Sequence, residues 1–319
     1  MKYCFIINPA SGKAETKTGL EERISASCEA AGVDYTILHT RSALDATKLI
    51  KEVYDADPTQ ELRFYACGGD GTVCEVVSGV MSLENRDRVS VGVVPVGTGN
   101  DFVKNFAPLE LFLDMDAQVA ASEEYIDVLK CNDIYAMNMI NAGFDSEVVV
   151  KTAHFKRSRF IPSSLAYVCG LAVTLIRKPG VKMSVSIDGA EPVEKKLLLT
   201  TFANGCFCGG GFHSNPLASL VDGRVDTCFI KNVSRVRFLT MVGDYKKGTH
   251  IGGKFEKIVE HVKAKEYDII FSKPTNVSVD GEIIKMERAR ISVVPKALRL
   301  LIPKGTVACK ECGEEVATV

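Results

Sequence analysis

The stretch Phe64–Gly79, FYACGGDGTVCEVVSG, decides the fold of this chain. An apolar run leads into a turn in which three glycines surround an aspartate, and a helix-like pattern follows. A glycine-rich turn between a strand and a helix presents backbone N–H groups that often bind a phosphate. The stretch therefore predicts a strand, a phosphate-binding turn and a helix.

The same alternation of strand and helix patterns extends to about residue 105. Helical spacing of apolar residues predicts helices over residues 18–31, 43–54 and 73–81, and Gly32 suits the end of the first. Strands that alternate with helices favour a parallel sheet with right-handed crossovers, so this part is predicted to be an α/β domain. The runs that predict its strands are KYCFIIN, VDYTILHT, LRFYAC and VSVGVVP.

After about Leu113 the pattern changes to strands joined by short turns. Seven segments, from YIDVLKCN to TNVSVDGEII, have strand-like composition, and turns such as Asp188–Gly189 separate them. Helical patterns interrupt the strands at 160–176 and 233–247, and the chain closes with the strand-like segments ARISVVP and LRLLIPKG. The second part is therefore predicted to be β-rich and mostly antiparallel.

The composition is that of a folded globular protein. The 319 residues are 46% hydrophobic and 25% charged, and 39 Lys and Arg nearly balance 40 Asp and Glu, for a net charge of −1. This balance argues against a dedicated nucleic-acid binder. No run reaches the roughly 18 consecutive apolar residues of a membrane span, and the N-terminus lacks a signal-peptide pattern, so a cytoplasmic protein is expected.

Four turns in the first part are candidates for phosphate binding. In an open parallel sheet the carboxyl ends of the strands share one edge, where ligands bind. Glycines let backbone N–H groups approach an anion closely, and the hydroxyls of Ser11, Thr72 and Thr98 add donors. The four segments expected to converge on one crevice are NPASG (8–12), HTRS (39–42), CGGDGT (67–72) and PVGTGND (95–101).

Asp70 separates this turn from the common nucleotide loops. A dinucleotide fingerprint, G-x-G-x-x-G, would follow the first strand, whereas this turn follows the third and lacks the last glycine, and a Walker loop is absent. A sheet whose glycine turns bind no ligand is the plainer alternative, but two turns that each combine Gly, Thr and Asp argue against it. Asp70 and Asp101 would repel bare phosphates, so Mg²⁺ is expected with the nucleotide. Asp101 is alternatively a helix cap before Phe102.

The motifs continue in order into the second half of the chain. NAGFD (141–145), LVDG (220–223) and VDGE (279–282) follow the three glycine-bearing loops. With these motifs the sequence resembles the diacylglycerol kinase catalytic-domain family, in its bacterial soluble lipid kinase branch, which shares a fold with NAD kinases. GGDGT alone also occurs in phosphofructokinases and NAD kinases, whereas its combination with PVGTGND and a late DGE is specific. The resemblance spans about Asn8 to Glu282.

The resemblance implies a two-part architecture and an activity. A three-layer α/β nucleotide-binding domain would comprise residues 1–127 plus about 291–319, which return to it. A β-sandwich-like domain, residues 128–290, would bind the lipid, with the active site in the cleft between the two. ATP and Mg²⁺ are the implied cofactors, and the reaction is phosphorylation of a lipid hydroxyl, converting diacylglycerol to phosphatidic acid.

Carried over position by position, the resemblance assigns roles to individual residues. Asp70 would act near the catalytic Mg²⁺, Asp101 would belong to the supporting acidic network, and Glu282 would be the general base. Without the resemblance, Asp280–Gly281 would be a simple hairpin turn and Glu282 a solvent-facing neighbour. The residues expected to contact ATP are Asn8, Pro9, Ala10, Ser11, Gly12, Thr40, Gly68, Gly69, Asp70, Gly71, Thr72, Gly97 and Thr98.

A structural Mg²⁺ site is also implied by the resemblance. The Asp222 carboxylate and the main-chain carbonyls of Ser219 and Arg224 would hold the ion. The family often has two adjacent acidic residues at this position, whereas this chain has Val221 before Asp222. Main-chain ligation would survive that change.

A lipid acceptor implies contact with a membrane surface. We expect transient peripheral association through a basic and aromatic surface, for which HFKRSRFIP (154–162) and DYKKGTHIGGKFEK (244–257) are candidates, and ordinary solvated faces are the alternative. A kinase for sphingoid bases or another lipid alcohol would share the nucleotide motifs. NAD kinase and a non-catalytic nucleotide- or lipid-binding module are the remaining alternatives. An exposed sheet edge would allow a homodimer.

Overall fold

The structure is a computed structural model that describes residues 1–12, 17–144, 146–148, 150–151 and 180–308. The helix expected over 160–176 and the basic segment 154–162 lie outside the described residues.

The first part forms the predicted α/β unit. Its strands pair in parallel in the order β2-β1-β3-β4: β1 (Lys2–Ile7), β2 (Asp34–His39), β3 (Leu62–Gly68) and β4 (Val89–Pro95). The helices that connect these strands are α1 (Leu20–Ala31), α2 (Asp45–Ala56) and α3 (Asp70–Met81). Because the strands are parallel, the turns that end them open at one edge of the sheet.

The helix after the glycine turn begins earlier than expected. The sequence pattern placed its start at about Val73, whereas α3 begins at Asp70. The carbonyl of Gly69 already accepts the N–H groups of Thr72 and Val73, at 2.9 and 3.1 Å. The aspartate of the turn therefore belongs to the first helical turn, where the helix dipole is positive.

A short irregular segment leads from the first part into the second. It contains 3₁₀ turns at Phe102–Asn105 and Leu109–Phe112, the two-residue strand β5 (Phe106–Ala107) and the helix α4 (Met115–Val119). Asp114 begins α4, and its side chain accepts the N–H groups of Asp116 and Ala117.

The second part is a largely antiparallel β-structure, as predicted. Its only long described helix, α5 (Arg235–Lys247), begins after Ser234, whose Oγ accepts the N–H of Arg237 at 3.2 Å, and ends at Gly248 with φ 76°. None of the described helices is long and apolar enough to cross a bilayer. The strands are β6 (Ser122–Cys131), β7 (Ile134–Ala136), β8 (Met139–Gly143), β9 (Val181–Ile187), β10 (Val193–Ala203), β11 (Phe207–Cys208), β12 (Phe212–His213), β13 (Val225–Lys231), β14 (Val259–Ala264), β15 (Glu266–Val279), β16 (Glu282–Ile302) and β17 (Val307–Ala308), which pairs with β5.

Strand β16 joins the two parts. The sequence suggested separate strands after residue 282, whereas the structure has one strand of 21 residues that pairs with β15 at its start and with β4 at Leu300. The strand remains continuous through Pro295 because an irregularity there absorbs a register shift. Lys296 has φ 48° at this point, and its N–H donates to Oδ1 of the buried Asp127 at 2.8 Å.

Each part has an apolar core. In the first, Phe64 of β3 and Val76 of α3 pack together with Leu300 of β16. In the second, the ring of Phe202 contacts Tyr267 edge-on at 5.1 Å. Burial of such side chains stabilises the fold by roughly 1.5–3 kcal/mol each. Because Leu300 at the end of β16 packs in the core of the first part while the start of β16 pairs with β15, the two parts on either side of the cleft share this strand.

Candidate active site

Three of the predicted phosphate loops meet at the edge of the parallel sheet. Asn8, which follows β1, donates from Nδ2 to Oγ1 of Thr72 at 3.0 Å. The N–H of Gly97 donates to the carbonyl of Gly68 at 3.1 Å. The NPASG, GGDGT and PVGTGND segments are thus in direct contact, as the sequence predicted for turns at one sheet edge.

Close approach explains the glycines at this junction. A Cβ added to Gly97 would lie 2.3 Å from Cα of Gly69, and one added to Gly68 would lie 2.2 Å from Oγ1 of Thr72. A Cβ on Gly71, by contrast, would meet nothing within 4 Å. Gly97 is required by the packing of one loop on another and Gly68 by the close approach of Thr72 in its own turn, whereas Gly71 leaves open space at the start of α3.

Asp70 connects the GGDGT and PVGTGND loops through its side chain. Its Oδ1 accepts the N–H of Asp101 at 2.7 Å and that of Phe102 at 3.3 Å. Burial, and secondly the nearby Asp101 carboxylate, raise the pKa of Asp70, while the two N–H bonds act in the opposite direction. Burial and the neighbouring negative charge disfavour the ionised form of Asp70, and a bound cation would offset that cost.

Asp101 is buried and bridges the two parts of the molecule. Its Oδ1 is 2.6 Å from Nζ of Lys104, which also donates to the carbonyl of Gly99 at 2.9 Å. Its Oδ2 accepts the N–H of Gly210, in the turn between β11 and β12, at 2.8 Å. Asp101 precedes the 3₁₀ turn but its side chain forms no cap there, and it instead contacts Lys104 and the turn at Gly210.

Asp280 is a site residue that sequence reasoning assigned only to a turn. The hairpin between β15 and β16 exists, with φ 45° at Asp280, but its carboxylate also accepts the N–H groups of Met137, Asn138 and Met139, at 2.6 to 3.3 Å. Burial raises the pKa of Asp280 from 3.8 to about 6, and the charge of Asp70 adds a smaller rise. Asp280 is therefore close enough to Asp70 for their charges to interact.

One cavity of about 250 Å³ contains all three aspartates in its wall. At one end it is lined by Asp70, Asp101 and Asp280. Asn138, Asn141 and Ser278 add polar groups to the wall, and a large apolar and aromatic part comes from β10, the hairpin β11–β12, α5 and the segment after β8. The residues of this apolar part are Phe144, Val148, Leu199, Phe212, Phe238, Val242 and Tyr245. The cavity is therefore acidic at one end and suited to hydrocarbon at the other.

Glu282 lies beside this cavity, at the start of β16. Its side chain is exposed, and the neighbouring Gly281, not Glu282, lines the wall. The negative charge of Glu282 is one of the smaller causes that raise the pKa of the Cys74 thiol in α3. The carboxylate therefore lies near the helix that begins with Asp70. Its role as the base stays a prediction.

The remaining predicted nucleotide contacts lie around the loop junction. Thr40 follows β2 and is buried, with its N–H donating to the carbonyl of Ile7 at 3.0 Å. Thr98 is exposed. Within NPASG, the N–H of Ala10 is bonded to Oδ1 of Asn8 at 2.9 Å. No described side chain caps α3, and a Cβ on Gly71 would meet nothing within 4 Å, so there is space for a ligand at the start of this helix. These residues fit a phosphate group, and Asp70 fits its Mg²⁺.

In the predicted structural metal loop, residues 219–224, the Asp222 carboxylate is paired with a lysine side chain. Oδ2 of Asp222 is 2.9 Å from Nζ of Lys263, and Oδ1 accepts the N–H of Arg224 at 3.0 Å. The Ser219 hydroxyl accepts a bond from the N–H of Val221 at 3.4 Å. The described residues include no cluster of three or more His, Cys, Asp or Glu that could hold a metal. A metal at Asp222 would have to displace the Lys263 ammonium, and ligation by the main-chain carbonyls of Ser219 and Arg224 stays a prediction.

Comparison with known proteins identifies the family. Residues 2–131 match the diacylglycerol kinase catalytic domain, and residues 138–302 match the YegS C-terminal NAD kinase beta sandwich-like domain. The fold is thus a kinase catalytic domain followed by a β-sandwich-like domain. The chain belongs to the diacylglycerol kinase catalytic-domain family, in its bacterial lipid kinase branch.

Individual relatives agree with this assignment. A "putative lipid kinase" of Staphylococcus epidermidis is 30% identical over 81% of this chain and 82% of its own. A "probable lipid kinase YegS-like" of Chromohalobacter salexigens is 28% identical over 86% of each chain. The crystal structure of a "putative diacylglycerol kinase" from Bacillus anthracis has a TM-score of 0.74 at 24% identity, covering 96% of this chain and 98% of that one. The structural match confirms the two-part fold.

Proposed function

We propose that this protein transfers the γ-phosphoryl group of ATP to a lipid hydroxyl, with diacylglycerol as the acceptor and phosphatidic acid as the product. The observation that carries the proposal is the single cavity with aspartates at one end and apolar walls at the other. Membership of the kinase family supports the phosphoryl transfer, and the apolar walls support a lipid acceptor.

The walls favour a lipid over NAD. Apart from Asn138, Asn141 and Ser278, the wall beyond the aspartates consists largely of apolar side chains such as Leu199, Phe212 and Phe238, which offer a dinucleotide no hydrogen-bond partners. Polar groups buried without partners cost free energy, whereas each buried CH₂ of an alkyl chain stabilises binding by about 0.8 kcal/mol. A lipid alcohol can place its chains against these walls with its hydroxyl near Asp70 and Asp101.

The loops of the first part would hold the nucleotide. The N–H groups and positive dipole at the start of α3 attract phosphate, and the bond from Asn8 to Thr72 keeps the first two loops in register. Asp70, with Asp101 supporting it, would hold Mg²⁺, which when bound neutralises charge on the transferring phosphate. Catalysis in this class of reaction is mostly positioning and charge stabilisation, and the loop contacts supply the positioning.

Glu282 is proposed as the general base. A carboxylate that accepts the hydroxyl proton as the new P–O bond forms assists an alcohol nucleophile. Asp280 is less suited to this task because its oxygens already accept three main-chain N–H groups. The exposed carboxylate of Glu282, two residues later at the cavity rim, is free to meet the substrate.

A sphingoid base is a second candidate acceptor. It also carries a hydroxyl and a hydrocarbon chain, and its ammonium group would be attracted to the three aspartates of the cavity. A non-catalytic binding module explains the site less well. Burial disfavours the ionised form of Asp70, which lowers the stability of the fold, and a negative charge there does not help to bind a nucleotide anion.

The deciding experiment offers one panel of acceptors to the purified protein. Radiolabelled ATP and Mg²⁺ are supplied with diacylglycerol or sphingosine in mixed micelles, or with NAD in solution, and products are separated by chromatography. We expect labelled phosphatidic acid. Label on sphingosine alone would identify a sphingoid base as the acceptor in place of diacylglycerol. Label on NAD alone would overturn the proposed lipid kinase activity.

The base is tested separately by Glu282→Gln. We expect turnover to fall by about 10²–10⁴-fold while ATP binding is retained. Glu287→Gln, an exposed residue further along β16, is the matched control and should keep its rate. An unchanged rate for Glu282→Gln would exclude it as the base.

A further inference from the structure

Helix α5 has two apolar faces. The inner one, with Phe238, Val242 and Tyr245, lines the cavity. The outer one carries Val236 and Leu239, whose side chains are 72% and 58% exposed. A helix at the surface of a globular protein normally presents polar residues to water, so the outer face requires an explanation.

The outer face continues along the helix as an uncharged stripe. Leu239, Thr240 and Gly243 follow Val236 at intervals of three, four and seven residues, and all are exposed. This spacing puts them on one side of the helix. The stripe is therefore a surface, and not two unrelated exposed side chains.

Cations flank the stripe along the chain. The stretch from Arg235 to Lys257 contains six Lys or Arg and only two acidic residues, in a chain whose net charge is −1. Lys246 and Lys247 are exposed in the last turn of α5. Lys254, in the candidate membrane-contact segment 244–257, is paired with Asp244 at 3.1 Å. The charge of the surface is complementary to an anionic one.

We propose that the outer face of α5 docks on an anionic lipid bilayer. In this arrangement Val236 and Leu239 enter the interface and the lysines contact lipid headgroups, as in helices that lie in the plane of a membrane. The proposal rests on the proposed lipid acceptor, because the inner face of the same helix forms the cavity wall. Docking would bring the cavity to within one helix diameter of the bilayer, which is the source of the acceptor.

A second copy of this chain fits the surface less well. A stable dimer buries about 800 Å² per partner, far more than two aliphatic side chains provide. A twofold contact through this face would also bring the two sets of cations together. A bilayer avoids both difficulties, since its headgroups supply the opposite charge.

The test measures sedimentation of the purified protein with vesicles. Phosphatidylcholine vesicles are compared with vesicles that also contain phosphatidylglycerol. We expect binding to the anionic vesicles, weakened by about tenfold or more in Val236→Ser/Leu239→Ser and in Lys246→Gln/Lys247→Gln. Val193→Ser/Ile270→Ser, which alters two exposed apolar residues on strands, and Lys182→Gln/Lys285→Gln are the matched controls and should bind like the unchanged protein.

The lysine variant keeps the docking proposal testable if the serine variant fails to fold. Kinase rate on a monodisperse short-chain lipid should be unchanged in both, while the rate on vesicles falls with binding. Unweakened vesicle binding in both variants would overturn the docking proposal and leave the proposed reaction standing. A dimer of the unchanged protein that dissociates in the serine variant, seen by sedimentation velocity, would also overturn it. Vesicle binding is measured without turnover, so a failed kinase assay is distinguished from failed docking.

Discussion

The main-chain N–H of Asp101 donates to Oδ1 of Asp70 at 2.7 Å, so one carboxylate holds the GGDGT and PVGTGND loops together. Asp101 in turn accepts the N–H of Gly210 from the second part of the molecule. The acidic end of the cavity is thus built by a chain of hydrogen bonds that crosses the cleft. Loss of either carboxylate should lower the reaction rate and also loosen the contact between the loops, and the two effects should differ in size.

Asp70→Asn should separate these two effects. Asparagine keeps an oxygen that can accept the Asp101 N–H but lacks the charge for a cation, so we expect kcat to fall by about 10²-fold or more with a small change in Tm. Steady-state kinetics and thermal unfolding measure the two quantities. Asp55→Asn, at an exposed i,i+4 pair with Lys51 on α2, is the control for charge removal. A rate that survives in Asp70→Asn would contradict its role.

Gly97→Ala should weaken the loop junction. The new Cβ would lie 2.3 Å from Cα of Gly69, so one loop has to move, and we expect a loss of about 1–3 kcal/mol of stability together with weaker ATP binding. Gly243→Ala on α5 is the stability control, because nothing lies within 4 Å of its Cβ and alanine favours a helix. Calorimetry should give shifts of opposite sign for the two variants.

Leu199→Phe should change the preference for acyl length. Leu199 is buried and lines the apolar end of the cavity, so a larger side chain shortens the space for hydrocarbon. We expect kcat/KM for long-chain acceptors to fall by about tenfold relative to short-chain ones. Leu217→Phe, at an exposed position outside the cavity lining, should leave the ratio unchanged. Equal loss on all chain lengths would show that Leu199 does not contact the acceptor.

Asp280 should make stability depend on pH in the acid range. Its pKa is about 6 in the folded protein against 3.8 ordinarily, so the folded state binds more protons between these values. The resulting stability is fully present below about pH 4 and is lost as pH rises through about 6, a change on the order of 1–3 kcal/mol. Asp280→Asn should lower Tm overall and flatten this slope, as measured by calorimetry from pH 4 to pH 7.

The matched control for this slope is Asp188→Asn. Asp188 has φ 48° in another Asp-Gly turn, and its Oδ1 accepts the N–H groups of Lys265 and Glu266, but its side chain is exposed. It should keep the slope of the unchanged protein. A slope that persists in Asp280→Asn would have to arise at another carboxylate.

Lys263→Met should change the response to Mg²⁺. Without the ammonium, Asp222 and the buried Asp226 lose a cation at 2.9 and 3.8 Å, and we expect a drop of about 1 kcal/mol or less because Asp222 is partly exposed. Added Mg²⁺ should then raise Tm in the variant more than in the unchanged protein. Lys265→Met, at an exposed neighbouring position, is the control. An identical Mg²⁺ response in all three proteins would argue that Asp222 is not a metal ligand.

The sequence predicted those features that depend on local pattern. Alternating strands and helices, and glycine turns after β1, β3 and β4, were sufficient to place Asn8, Asp70 and Asp101 at one sheet edge. They were sufficient because parallel strands necessarily end on the same side. The strand-like segments after Leu113 also indicated the β-rich second part, and the family resemblance added its β-sandwich-like architecture.

Features that depend on distant pairing were not predictable. Asp280 accepts N–H groups some 140 positions earlier, which requires β8 to lie beside β15. Lys263 reaches Asp222 across 41 positions. The apolar wall combines segments that show no common pattern. Each of these contacts is set by tertiary packing, and neither spacing nor composition records it.

Strand β16 has a mechanical consequence. It begins two residues after Asp280, at the acidic end of the cavity, and reaches the parallel sheet of the first part at Leu300 without a break. Between them the strand is clamped by β15 and β6 and by the bond from Lys296 to Asp127. A span braced in this way resists bending, so the hairpin at Asp280 and the parallel sheet of the first part are held at a fixed separation. For the proposed lipid kinase, we therefore expect access to the cavity to come from movement of the loops and of α5, with the sheet as the rigid frame.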